Sequence, residues 1–163
     1  MPLFLLAAVL SFAADQISKI LIRSRLAEGE QLPFLPGFMH LEHVRNFGAA
    51  WGMMSGQKWL LVGFTGFVIA MILGSAREVA RRGKLAAVGF GLIFGGAVGN
   101  LIDRILFGHV TDFFDLDTSI SVLRTFPVFN VADSALTVGV IAMLLSLFFT
   151  RDEPKPETEN PHS

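Results

Sequence analysis

Residues 85–102 read LAAVGFGLIFGGAVGNLI, 18 positions without a charge, and Asp103 and Arg104 follow at once. At 1.5 Å per residue an α-helix of this length covers most of a hydrocarbon core of about 30 Å, and a few flanking residues complete the crossing. The pattern recurs in Trp59–Ala76 (18 uncharged residues), Ser134–Thr150 (17) and Met1–Ala14 (14), the last just ahead of Asp15. Over 163 residues only 17% are charged while 52% are hydrophobic, too little charge to coat a water-facing surface, where about a quarter is usual. A soluble enzyme is excluded. The expected architecture is an all-α membrane protein with four transmembrane helices, about 3–22, 59–76, 85–103 and 131–150, forming a single domain over 1–151. The tail 152–163, with three prolines and four acidic residues, reads as disordered.

A net charge of −1 argues against nucleic acid, which calls for a basic patch. With no cysteine there is neither disulfide, thiolate nucleophile nor Cys-based metal site. Ser-Phe-Ala-Ala at 11–14 resembles a signal-peptide cleavage site. No basic residue precedes the apolar run, however, and Ile17, Ile20, Leu21 and Ile22 prolong it, so the segment reads as the first span. The connections 23–58 and 104–130 are long. Leu41–Arg45 alternates like a strand, which makes the first connection a small sheet. The segment 106–128 is expected to arch over the site as a lid-like loop, offering Phe107, Phe113, Phe114 and Phe126 to lipid or substrate. The short connection 77–84 holds Arg77, Arg81, Arg82 and Lys84. By the positive-inside rule this places it, both termini and the tail in the cytoplasm.

Four spans bring the polar residues at membrane depth to one side: Asp15, Lys19, Asn46, Asn100, Asp103, Arg104, Asp112, Asn130 and Asp133. Ionisable groups are costly there and mark function. Asp112 and Asp133 stand out. Two carboxylates close together in a low-dielectric site share one proton. The ionised member can then activate water while the protonated one polarises a carbonyl and serves the leaving amine. The bland reading is two aspartates capping a helix start and a turn. Asp15 and Lys19, at i and i+4, suit an ion pair inside span one. Ser18 and Lys19 are unsuited to a Ser/Lys pair, because neighbours on a helix point about 100° apart. Asn100, Asp103 and Arg104 share one face of span three and suit either a salt-bridge cluster or a carboxylate clamp. Gly91, Gly95, Gly96 and Gly99 point to close helix packing. His40 and His43 flank Glu42 without a zinc-binding helical motif, so no metal and no cofactor is expected.

Asp15-Gln-Ile-Ser-Lys19, Asn46-Phe-Gly-Ala-Ala50, Gly95-Gly-Ala-Val-Gly-Asn-Leu-Ile-Asp-Arg104, Val110-Thr-Asp-Phe113 and Phe129-Asn-Val-Ala-Asp133 resemble the five boxes of the bacterial lipoprotein signal peptidases (signal peptidase II). They stand in the family's order, from the first span to the last. The resemblance implies a multi-pass protein of the bacterial inner membrane with its site toward the periplasm and a small periplasmic β-sheet cradle. It implies an aspartyl endopeptidase that removes the signal peptide of prolipoproteins before the diacylglyceryl-modified lipobox cysteine. Catalysis would fall to Asp112 and Asp133, with Asp15, Lys19, Asn46, Asn100, Arg104 and Asn130 in support. Partners would be prolipoproteins, membrane lipids and inhibitors of the globomycin type, and the protein is expected to act as a monomer. Trp51 and Thr111 depart from the family's usual Phe and Val or Ala without removing a group the chemistry needs. The alternative from another class is a small proton-coupled transporter, although one half of the bilayer lacks polar residues and no inverted repeat is visible.

Overall fold

Long uncharged runs fold as four helices of 19 to 24 residues, long enough to span a hydrocarbon core. In a computed structural model describing residues 1–48 and 53–149, these are α1 (Pro2–Arg25), α2 (Lys58–Arg81), α3 (Lys84–Phe107) and α5 (Val131–Phe149). All four are long and apolar enough to cross a membrane. Trp51 and the tail 152–163 lie outside the described residues. The connection read as 77–84 is mostly helix: α2 continues to Arg81, leaving only Arg82 and Gly83 to reverse the chain. Ala, Arg and Glu are strong helix formers, and a helix need not stop where the hydrocarbon does. Gly83, at φ +141°, makes the turn in a region open mainly to glycine.

α3 is the central helix, in contact with α1, α2 and α5. Its small residues make this possible. A Cβ at Gly91 would strike the Phe4 carbonyl of α1, and one at Gly95 would strike the Ala8 carbonyl and the Ser11 hydroxyl. On the opposite face a Cβ at Gly96 would stand 2.6 Å from the Ala132 oxygen of α5. Backbones this close gain van der Waals contact that larger side chains would prevent. Phe4 packs with Ile72, Ala76, Phe90 and Phe94. Leu6, Leu10, Phe64, Phe67, Leu147 and Phe148 turn outward, as a lipid-facing surface does.

The two long connections supply a three-stranded antiparallel sheet, β1 (Gln31–Leu35), β2 (Met39–Asn46) and β3 (Val110–Asp115), in the order β1-β2-β3. The first connection thus forms strands, as its alternation predicts. The second narrows the lid-like segment expected over 106–128, because residues 110–115 are a strand paired with β2, while the short helix α4 (Ser121–Arg124) and its flanks stay outside regular pairing and border the cavity. Val110-Thr-Asp-Phe113 alternates across the sheet. Val110 and Asp112 face a cavity, whereas Thr111 and Phe113 face the helices. Phe113 is therefore not offered to lipid or substrate. It is buried against Ile22 and Leu26 at the end of α1. Phe126 does line the cavity, and Phe114 stacks on Phe113 and Phe129.

Candidate active site

The start of α5 is capped by its own sequence. The Asn130 side-chain oxygen accepts the Asp133 N–H at 3.0 Å, and the Asp133 carboxylate accepts the Asn130 N–H at 3.1 Å. This is the reciprocal capping box, with Asn at the cap and Asp three residues on. The capping role anticipated for Asp133 is real, and it coexists with a second one. The same carboxylate accepts the Asn100 side-chain amide at 2.9 Å through its other oxygen and faces a cavity of about 630 Å³.

Asp112 reaches that cavity from β3. Register places it opposite Val44 of β2, with Asn46 diagonally adjacent on the same face. Asn46 donates to one Asp112 oxygen at 2.9 Å and Asn130 to the other at 2.6 Å. The amides cannot flip freely. The Asn46 oxygen is taken by the Gly48 N–H, the Asn130 oxygen by the Asp133 N–H, and the Asn100 oxygen by the Lys19 ammonium. Since an ammonium and a backbone N–H only donate, every asparagine must present its NH₂ group to a carboxylate. Asp112 is 2% exposed. Burial first, and the neighbouring Asp133 charge second, push its carboxyl up to about 7, while the Asn46 and Asn130 hydrogen bonds hold it from going further.

Behind the pair lies a buried ionic cluster. Lys19 lies 2.9 Å from Asp15 and 3.3 Å from Asp103, and all three side chains are inaccessible. The ion pair anticipated inside span one is thus present, and it also ties α1 to α3. Asp15 additionally accepts the Ala132 N–H at 2.9 Å, placing a carboxylate at the positive end of the α5 dipole. Arg104 donates to the Gly48 carbonyl at 3.0 Å and lines the cavity. Of the residues expected to form the site, Asn46, Asn100, Arg104, Asp112 and Asp133 line the cavity, and Asn130 bridges the two aspartates from behind. Asp15 and Lys19 stand one layer deeper. The remaining lining is mainly apolar, including Leu116, Leu123, Phe126, Leu136 and Val138.

Two participants escaped the sequence reading of the site, Arg23 and Thr111, and both meet the Asp103 that it had singled out. Asp103 accepts the Thr111 N–H at 3.0 Å, and Arg23 donates to the Thr111 hydroxyl at 2.9 Å. A signal for Arg23 existed, since positions 15, 19 and 23 fall in one i, i+4 row of α1. Among the described residues the histidines are dispersed. His40 lies near Asp117, His43 meets the Leu26 carbonyl, and His109 sits beside Phe47 and Phe107.

Four helices long and apolar enough to cross a membrane, with two carboxylates lining one cavity, suit a membrane hydrolase of the aspartic type. The model of the signal peptidase (SPase) II family matches residues 7–149, and the chain belongs to that family. The lipoprotein signal peptidase of Geobacillus thermodenitrificans is 44% identical over 90% of this chain and 89% of its own. That of Moorella thermoacetica is 41% identical over 92% and 95%. Among solved structures, a bacterial membrane enzyme determined by the in meso method at 2.3 Å superposes with a TM-score of 0.81 at 33% identity, covering 98% of this chain and 95% of that one. The chain is accordingly a multi-pass bacterial membrane peptidase, and the transporter alternative falls.

Proposed function

We propose that the chain removes signal peptides from prolipoproteins by direct attack of water, with Asp112 and Asp133 as the catalytic pair. The observation that carries this reading is the meeting of two carboxylates, one from β3 and one from α5, at a single apolar cavity where three asparagines hold them. Asp112, the more buried of the two, holds the shared proton. Water lodged between the carboxylates attacks the scissile carbonyl. Asp133 takes a proton from that water, and Asp112 gives its own to the carbonyl oxygen. The tetrahedral diol then collapses, the C–N bond breaks, Asp133 protonates the leaving nitrogen, and Asp112 recovers a proton from a diol hydroxyl. Neither covalent intermediate nor metal is required.

The apolar lining at Leu116, Leu123, Phe126 and Leu136 suits a substrate whose signal segment and lipid-bearing cysteine are both apolar. That cysteine carries a diacylglyceryl group, and the bond cut lies just before it. The density of basic residues at the α2–α3 end, together with this substrate, favours cytoplasmic termini and a site facing the periplasm. A monomer suffices, since both carboxylates come from one chain. A globomycin-type cyclic peptide would occupy the same cavity. The test is cleavage of a diacylglyceryl-modified prolipoprotein in detergent by wild type, Asp112→Asn and Asp133→Asn. Each variant should lose roughly 10²–10⁴-fold in rate while remaining folded, and chelator should leave the wild type active. Near-normal turnover by either variant removes the pair from the mechanism.

A further inference from the structure

Every polar group of Thr111 is engaged, although the residue is wholly buried. Its N–H donates to Asp103 at 3.0 Å, its carbonyl accepts Asn130 at 3.4 Å, and its hydroxyl accepts the Arg23 guanidinium at 2.9 Å. The same guanidinium nitrogen lies 3.4 Å from the Asp103 carboxylate, and its carbon stands 4.6 Å from the centre of the Phe107 ring. Arg23 is thus fixed from three sides, by a carboxylate, a hydroxyl and an aromatic face. Phe113, two residues on along the same face of β3, packs on Ile22 and Leu26. The inward face of β3 is therefore docked onto the end of α1 at two points, one polar and one apolar. Asp112 lies between them and points the other way.

We propose that Arg23 is a positioning residue for peptide hydrolysis: through the Thr111 hydroxyl and the Asp103 carboxylate it sets the height and tilt of β3, and hence where Asp112 meets the substrate carbonyl. The inference rests on the reading of Asp112 as a member of the catalytic pair. Arg23 touches neither the cavity nor the reacting atoms. It acts only through the adjacent residue, and the backbone between Thr111 and Asp112 leaves little slack. Loss of the contact displaces the carboxylate without removing it, so the chemical step suffers more than substrate binding.

The experiment uses the full chain in detergent with a diacylglyceryl-modified prolipoprotein. It compares wild type, Arg23→Met, Thr111→Val, the double variant, Thr111→Ser and, as control, Asp112→Asn. Displacing a reacting group by a fraction of an ångström to an ångström costs on the order of tenfold or more. Arg23→Met and Thr111→Val should therefore each lower kcat about tenfold, with KM little changed. The double variant should be no worse than Arg23→Met alone, because that change already removes the contact that Thr111→Val deletes. Thr111→Ser, which keeps the hydroxyl, should restore most of the rate. Wild-type kcat in Thr111→Val, strictly multiplicative losses in the double variant, or an equal loss in Thr111→Ser would overturn the proposal. Should Arg23→Met fail to fold, the contrast between Thr111→Val and Thr111→Ser decides alone. Failure of the functional reading looks different: the wild type does not cleave, or Asp112→Asn does.

Discussion

The buried proton on Asp112 has a consequence for stability that can be measured without substrate. Its carboxyl is raised from 3.8 to about 7 by burial and by the Asp133 charge. Between those values the folded protein therefore holds a proton that the unfolded chain has released. Stability must then fall as pH rises through this window, since it falls wherever the native state binds more protons. At about 1.36 kcal/mol per pH unit, the whole window amounts to roughly 4 kcal/mol. Other groups titrate there too. Asp115 is also raised, by burial and by Glu42, and His109 is lowered, by burial and by Arg45. The informative quantity is therefore the difference between wild type and Asp112→Asn, followed as thermal unfolding in a mild detergent from pH 4 to 8. The Asn variant loses one accepted hydrogen bond at every pH, a constant offset that leaves the slope interpretable. It should gain on the wild type progressively as pH rises, and the two curves should run parallel above about pH 7. The wild-type cleavage rate should fall about tenfold per unit above the same pH, as the shared proton is lost. Parallel stability curves across the entire range would refute the argument.

Three further outcomes test the packing. Gly99→Ala would drive a Cβ into the Asp15 carboxylate, whereas Gly63→Ala meets nothing within 4 Å. The first should lose about 1–3 kcal/mol or more and the second should be neutral, as read by the unfolding temperature. Lys19→Met leaves the inaccessible Asp15 and Asp103 without their shared ammonium. A loss of about 3–5 kcal/mol is expected, seen as depleted folded protein in purified membranes. Phe113→Ala should cost about 3–5 kcal/mol because that ring is 2% exposed in the core. Phe126→Ala, at the cavity wall, should instead raise KM with little change in unfolding temperature.

Local pattern carried the helices. Uncharged blocks of eighteen residues have one physical solution in a bilayer, and Gly91, Gly95 and Gly99 already announced close helix packing, though not that α1 is the partner. Strand β3 was less legible, because Val110-Thr-Asp-Phe-Phe-Asp115 is too short and too polar to declare itself. It is a strand through its pairing with β2, some seventy residues earlier in the chain. The same non-locality explains the site. Polar residues confined to one half of the bilayer could be listed from the sequence, but partner assignments could not. The sequence leaves the carboxylate that Asn100 faces open; in the fold Lys19 takes its oxygen and its amide turns to Asp133. Arg23 looked like an ordinary basic residue at a membrane boundary, and only the docking of β3 shows what it holds.

The buried Asp15–Lys19–Asp103 cluster also sets a timetable for biogenesis. α1 emerges from the ribosome carrying an acid and a base whose insertion near a helix centre costs roughly 2.5–3.5 kcal/mol apiece. Their mutual i, i+4 contact relieves only part of that. The remaining partners, Asn100 and Asp103, are translated about eighty residues later. Until α3 arrives, Lys19 lacks the Asn100 and Asp103 contacts that hold it in the folded chain. The polar partners of α1 are thus supplied by a helix translated some eighty residues later.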